Sequence, residues 1–327
     1  MKDIENLNNK LDRTTKKIQG RANSKHNLQF EIPTDPQEFY HDFGLIAHPL
    51  TGQLVKDLTE YQYKIWNQAY QYRYRLTVKS QKVGISTSVL MEDFQRAILP
   101  LSNPWSCRGK EILIIAQTLS HAREHLRTLR DMILQSKYYD FLITKYSDVV
   151  LRTEVTKAGV IYVKNPENLR KPTRIIGLGP REAGIWSWKD VKHIHMSDVA
   201  AINQIDDSGS FGAAMSRLMN TSGSMHIETP PRGQRGKVWE LYKMFAPDSG
   251  IELTESQKAA AFHVETIKAD QAVQAGVMTK QDLQDMKERN PILYGQLFEC
   301  EFMNPYTSWY EESMIKYNKD LAKEMIP

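Results

Sequence analysis

Residues 74–99 read YRLTVKSQKVGISTSVLMEDFQRAIL, and the rest of the chain is organised around them. The first six, Tyr74 to Lys79, are rich in β-branched and aromatic side chains, while the last part is amphipathic at helical spacing. The stretch therefore reads as a strand, a tight loop from Ser80 to Ile85, and a helix. A strand that enters a helix through such a loop aims free backbone N–H groups and the positive end of a helix dipole at one spot. That spot suits a polyphosphate.

Set against the phosphate-loop pattern G-x-x-x-x-G-K-[ST], the stretch fits in part. Gly84 takes the second glycine slot, where the backbone must approach phosphate oxygens closely. Ser86 takes the Ser/Thr slot, whose hydroxyl would complete the shell of a Mg²⁺ bridging the β- and γ-phosphates. Ile85, however, stands in the lysine slot, and Lys79 stands where the first glycine belongs. The charge would thus approach from the front, because Lys79 and Lys82 both lie within a loop's length of the phosphates. A plain strand-to-helix turn is the alternative.

With 327 residues, 41% of them hydrophobic and 25% charged, the chain can bury a sizeable core in one large or two modest domains. No run approaches the roughly 18 apolar residues of a membrane span, and the N-terminus lacks a signal-peptide core, so no membrane is expected and the chain should stay in the cytosol. Cys107 and Cys300 fit no ligand spacing and read as inert thiols in a reducing compartment. A net charge of +4 leaves no global nucleic-acid footprint, so any surface for a polyanion must be local.

Residues 1–30 hold seven basic and three acidic residues, with Ile4, Leu7, Leu11 and Ile18 near helical spacing. They read as a basic arm, either solvated or bound to a partner. Asn27 to Leu54 carries Pro33, Pro36 and Pro49 and reads as extended or looped. Leu58 to Gln71 reads as a helix in which Gln62 either lies on the surface or offers an adenine edge its paired donor and acceptor. Beyond the loop helix, Glu111 to Ala116 is a continuous apolar run fit for a strand buried on both faces, and Leu119 to Ser136 is an amphipathic helix. Strands at Val160–Lys164, Thr173–Leu178, Val191–Met196 and Met225–Thr229, with helices near Phe211–Asn220 and Lys237–Phe245, continue an α/β alternation.

The strand over VKHIHMSDVAAI (Val191 to Ile202) ends in a carboxylate, as strands do that hold Mg²⁺ or orient the attacking water beside a nucleotide. In one alignment Ser197 serves the metal shell and Asp198 polarises water; in the other Asp198 fills the metal slot. His193 and His195 share a strand face, but no third metal ligand is apparent and packed, hydrogen-bonded histidines are expected. The next strand ends at Glu228 and Thr229, placed to sense a γ-phosphate, and a basic loop with Arg232, Arg235 and Lys237 follows.

The order of these features resembles the ATPase domain of the large terminase subunit, the motor that packages viral double-stranded DNA, over most of Leu58 to about Pro327. EYQYKIWN resembles its adenine-reading Gln motif, KSQKVGIST its lambda-type deviant phosphate loop, ILIIAQTLSHAREHL the next strand and helix, HIHMSDVA its carboxylate strand, and IETPPRGQRGKVWELY its coupling motif. The resemblance implies a P-loop NTPase of the RecA-like class. It would have a mostly parallel sheet, helices on both faces and a C-terminal helical lid or linker, divided into an arm (1–30), an ATPase core (31–250) and a lid (251–327).

It further implies ATP and Mg²⁺ as cofactors and hydrolysis as the activity. Gln62, Lys79, Ser80, Gln81, Lys82, Val83, Gly84, Ile85, Ser86 and Thr87 would surround the nucleotide, with Lys79 as the phosphate lysine and Lys82 as helper. Ser86, Ser197 and Asp198 would serve the metal, Asp198 the water and Thr229 the coupling step. Arg181 is the nearest counterpart of an arginine finger inserted into a neighbour, although the family's Arg-Gly pair is broken here by Ala183 before Gly184. The implied partners are double-stranded DNA, a small terminase subunit and further copies in a ring on a viral portal, in the host cytoplasm. The family's nuclease carboxylates have no counterpart after Phe302, so nuclease activity is not expected. A helicase-like ATPase and a nucleotide-binding module without turnover are the other classes that share these features.

Overall fold

Three strands of the chain alternate polar and apolar residues in step: Arg75-Leu76-Thr77-Val78-Lys79, His193-Ile194-His195-Met196-Ser197 and Ser224-Met225-His226-Ile227-Glu228. Successive side chains leave a strand on opposite faces, so each presents an apolar row to one side and a polar row to the other. In a computed structural model, which describes residues 32–44, 46–47, 51, 54–135, 159–163, 165, 168, 170–201 and 204–303, these strands lie side by side at the centre of the fold.

In chain order the elements are α1 (Pro36–Phe43), β1 (Ile46–Ala47), β2 (Leu54–Val55), α2 (Glu60–Asn67), β3 (Tyr74–Lys79), α3 (Ile85–Ile98), β4 (Glu111–Ala116), α4 (Leu119–Gln135), β5 (Gly159–Val163), β6 (Thr173–Leu178), α5 (Glu182–Trp186), β7 (Val191–Ser197), α6 (Gln204–Met219), β8 (Ser224–Thr229), α7 (Gly236–Phe245), α8 (Glu255–Ala259), β9 (His263–Ile267), α9 (Ala269–Gln274), α10 (Lys280–Arg289) and α11 (Pro291–Leu297). β1 and β2 form a small hairpin. The seven-stranded sheet runs β5-β6-β4-β7-β8-β3-β9, every pair parallel except the β5–β6 edge. The expected mostly parallel α/β sheet is therefore present. The arm expected over 1–30 lies outside the described residues.

One sheet face is apolar. Leu76, Val78, Ile194, Met196, Met225 and Ile227 pack there with Ala214 and Leu218 of α6 and Val238 and Leu241 of α7. The other face receives α3, which is buried almost throughout from Ser88 to Ile98 because a second layer covers it. That layer is aromatic: Phe39 and Phe43 of α1 stack at 4.4 Å and meet the Phe94 ring of α3 at 6.1 and 5.8 Å.

Two local expectations differ from the structure. The proline-bearing segment 27–54, read as extended or looped, contains α1, because Pro36 starts a helix at no hydrogen-bond cost and Asp35 accepts the N–H groups of Gln37 and Glu38. The stretch after Phe262, expected to be helical, begins with β9, which pairs with β3 through Arg75–Lys79 and widens the sheet past the phosphate loop. Among the described residues no helix is long and apolar enough to cross a membrane.

Candidate nucleotide site

The bend between β3 and α3 takes its shape from two left-handed residues, Lys82 (φ 60°) and Gly84 (φ 74°). Glycine is favoured at 84 by its left-handed φ, and a Cβ there would also press on Gln62 Nε2 at 2.7 Å and shift that side chain. Two loop amides are already used, Ser80 N–H by the Ile267 carbonyl (2.7 Å) and Gln81 N–H by that of Leu297 (3.0 Å). The amides left for a phosphate therefore begin at Lys82, where the first turn of α3 adds unpaired N–H groups.

Ile85 has an evident reason not to be lysine. Its side chain and that of Val83 are 1% exposed and pack with Tyr61, Ile65, Val89 and Ile267, so the slot faces apolar side chains. The Tyr61 hydroxyl donates to the Val83 carbonyl (2.8 Å), and Gln62 Nε2 donates to the Gly84 carbonyl (3.1 Å). Gln62 Oε1 accepts from Thr59 N–H (3.0 Å) in the capping box of α2. Each end of the carboxamide keeps one further hydrogen-bonding site. Beside it opens a cavity of about 900 Å³, bordered by Gln62, Lys82, Gly84, Thr87 and Gln271.

At the end of β3 the Lys79 ammonium, largely buried, is ringed by oxygens. It donates to Ser86 Oγ at 3.0 Å and lies 2.8 Å from Glu228 Oε2 and 3.2 Å from Asp198 Oδ1. Burial works against its charge, but the two carboxylates outweigh it and raise its pKa. Burial likewise opposes the charge on Glu228, yet Lys79 and His195 hold its carboxyl at about 2. Asp198 goes the other way: burial first, then the Glu228 charge, push it above the ordinary aspartate range against the pull of Lys79. Two neighbouring carboxylates thus have opposite protonation behaviour, the usual mark of divided roles.

Asp198 adopts a left-handed backbone (φ 52°) just past β7, with its N–H donating to the Glu228 carbonyl at 2.8 Å. Its side chain is 44% exposed, whereas that of Glu228 is fully buried. Ser197 is buried and its Oγ has no hydrogen bond among the described residues. The Thr229 hydroxyl accepts from Ala200 N–H (3.2 Å) and donates to the Pro230 carbonyl (3.1 Å), fastening the end of β8 to the turn after Asp198 rather than joining the lysine cluster. Arg181 is exposed at the start of α5, with no ion pair among the described residues, and is not part of this cluster.

Behind the lysine lies a buried polar layer that the sequence reading did not assemble. Both ring nitrogens of His195 face carboxylates, Asp93 Oδ2 at 2.8 Å and Glu228 Oε1 at 3.3 Å. Burial disfavours its proton, but Asp93 and then Glu228 carry its pKa to about 10. His193, 3.3 Å from Asp93 Oδ1 and bonded to Ser224 Oγ at 2.7 Å, is held down at about 4 by burial and by Arg96. Glu92 of α3 bridges Arg75 and Arg96. The signal for this layer was the Glu92-Asp93 pair, set between Val89, Leu90 and Met91 on one side and Phe94 on the other in an amphipathic helix. His193 and His195 are both buried and hydrogen-bonded, to Ser224 and to Asp93 and Glu228 respectively.

The parallel sheet, the bend from Ser80 to Ile85 and the carboxylates on neighbouring strand ends define the chain as an α/β protein of the P-loop NTPase fold. The same fold occurs in the large terminase ATPase domain of Thermus phage P74-26, with a TM-score of 0.55, 14% identity, and coverage of 84% of this chain and 100% of that one. The HK97 bacteriophage large terminase gives a TM-score of 0.51 at 10% identity over 82% of this chain and 54% of that one. The large terminase of a thermophilic bacteriophage gives 0.50 at 11% identity over 75% and 53%. The chain thus spans one terminase ATPase domain entirely and about half the length of the two longer proteins. No family model and no curated protein matches its sequence.

Proposed function

We propose that the chain is the ATPase of a motor that drives double-stranded DNA into a viral procapsid. The observation that carries this reading is the Lys79 ammonium, within 3.2 Å of Ser86, Asp198 and Glu228 at the strand ends where ligands of such sheets gather. ATP would lie over the bend, its phosphates against the amides from Lys82 to Ser86 and the Lys79 ammonium, and its base in the cavity beside Gln62. Ser86 Oγ and Asp198, or Ser197 through a water, suit Mg²⁺, which takes one or two carboxylates and substrate phosphates as ligands. When bound, that ion would neutralise charge on the transferring phosphoryl group.

Asp198, half-exposed and with a raised pKa, is the better base for water. Glu228, buried and ion-paired, anchors Lys79. The Thr229 hydroxyl would pass movement at the Asp198 turn to β8 and the segment beyond Gly250. Arg181, exposed and away from its own site, suits a ring in which it enters a neighbour's. A small terminase subunit, a portal and the host cytoplasm complete the proposed setting.

The test is steady-state hydrolysis of ATP with Mg²⁺, with and without duplex DNA, together with displacement of a third strand from a DNA triplex as the readout of translocation. DNA-stimulated turnover and strand displacement are expected. ATP binding without turnover would reduce the chain to a nucleotide-binding module, and unwinding of forked DNA would make it helicase-like.

A further inference from the structure

A second pocket, of about 420 Å³, opens where β4, β7 and β8 begin, at the opposite end of the sheet from Lys79. Arg108 and Lys110 reach it ahead of β4, Lys189 and Asp190 ahead of β7, and Lys192 from within β7. Asp190 is shared between Lys110 Nζ (3.3 Å) and Lys171 Nζ (2.6 Å), so one carboxylate faces two ammonium groups. The nearby Glu111 is taken by Arg174. Lys192 Nζ rests against the Thr221 carbonyl (2.9 Å) and Lys189 is exposed, and neither has a carboxylate in ion-pair range among the described residues. Among the described residues Lys110, Lys189 and Lys192 line the pocket with Asp190 as its one acidic side chain, so positive charge is concentrated here.

We propose that this pocket grips the phosphate backbone of double-stranded DNA, an assignment that rests on the motor reading above. Concentrated positive charge fits phosphates. Among the described residues no aromatic ring lines the pocket, whereas single-strand binders stack bases on aromatic platforms. Because the two sites occupy opposite ends of the sheet, DNA and nucleotide can be held together. β7 runs from Lys192 beside the DNA to Ser197, next to Asp198 beside the nucleotide, so one strand joins the two.

The proposal is tested with the full chain and a fluorescent duplex of about 30 base pairs, by anisotropy over a salt series. The double variant Lys110→Gln/Lys189→Gln is expected to bind roughly tenfold or more weakly and to lower the salt slope by about 2, near 0.9 for each phosphate no longer neutralised. Its ATP hydrolysis without DNA should match wild type, and the stimulation by DNA should fall. Lys243→Gln/Lys280→Gln, which removes two cations elsewhere, should bind as wild type. Unchanged affinity and slope in the first variant, an equal loss in the second, or a preference for single strands would each overturn the assignment. A wild type that binds duplex through this pocket yet fails to hydrolyse ATP would sink the motor reading and leave the pocket standing; turnover without duplex binding would do the reverse.

Discussion

Lys79 Nζ lies 2.8 Å from Glu228 Oε2, closer than its 3.2 Å approach to Asp198 Oδ1, so the buried strand-end glutamate is the lysine's main counter-ion. The lysine thus joins the ends of β3, β7 and β8, and His195, 3.3 Å from Glu228 Oε1, is the second counter-ion of that carboxylate.

Lys79→Ala is therefore expected to weaken ATP binding by about 10- to 100-fold, the scale of a charged hydrogen bond, and Lys82→Ala by much less, because Lys82 is exposed on the rim of the bend. Nucleotide titration decides this. Removing Lys79 also takes from buried Glu228 its nearer counter-ion and leaves it to His195 alone, which should lower stability. The double variant Lys79→Ala/Glu228→Gln should recover the melting temperature without recovering ATP affinity. Equal effects at Lys79 and Lys82 would show that the phosphate lysine is misassigned.

Asp198→Asn should leave ATP affinity within a few-fold of wild type and slow turnover by about 10²- to 10⁴-fold, the range of a lost general base. Glu228→Gln should act mainly on nucleotide affinity, since its carboxylate holds the lysine. Steady-state kinetics with separate binding titrations distinguish the two. A larger loss of turnover in Glu228→Gln than in Asp198→Asn would exchange their roles.

Much of this was legible in sequence because the signals are local. The bend announces itself through Lys79, Gly84 and Ser86, and β4 through an unbroken apolar run. The polar layer was harder to see. Alternation in β3, β7 and β8 ordinarily means one face in water, yet here the polar rows are covered by α3, whose Glu92, Asp93 and Arg96 supply matching charges. That match joins residues about 100 positions apart, such as Asp93 and His195, and no periodicity reports it. β9 escaped for a similar reason: its five residues pair only with β3, and a short edge strand among helical segments has little pattern of its own.

The layer also predicts how stability falls in acid. Asp93 is buried, which opposes its charge, but His195 and His193 depress its carboxyl to about 2 from the ordinary 3.8. A depressed carboxylate contributes stability that is present above its unfolded pKa and is lost as pH falls through the folded one. Wild type should thus lose stability between about pH 4 and pH 2 through this group. Asp93→Asn should melt lower than wild type at pH 6 and lose less on further acidification, with Glu228, also held at about 2, supplying what slope remains. Parallel melting curves for the two proteins across that range would show that Asp93 is not a charged partner of the histidines.

Gln62 makes the last case, because its carboxamide serves the fold and the candidate base site at once. Its Oε1 closes the α2 capping box and its Nε2 holds the Gly84 carbonyl, so Gln62→Ala should cost about 1 kcal/mol as a lost cap and loosen the bend where Gly84 must sit. The free hydrogen and lone pair that remain match the donor and acceptor on an adenine edge and mismatch guanine. Two consequences then separate. A purely structural glutamine would weaken ATP and GTP binding alike, whereas one that also reads the base would weaken ATP more and narrow the preference for ATP over GTP. Competition titrations of both nucleotides on wild type and Gln62→Ala, with the melting temperature as a control for the cap, decide between them. Gln62 lines the cavity together with Thr87, and the narrowed preference is the expected result.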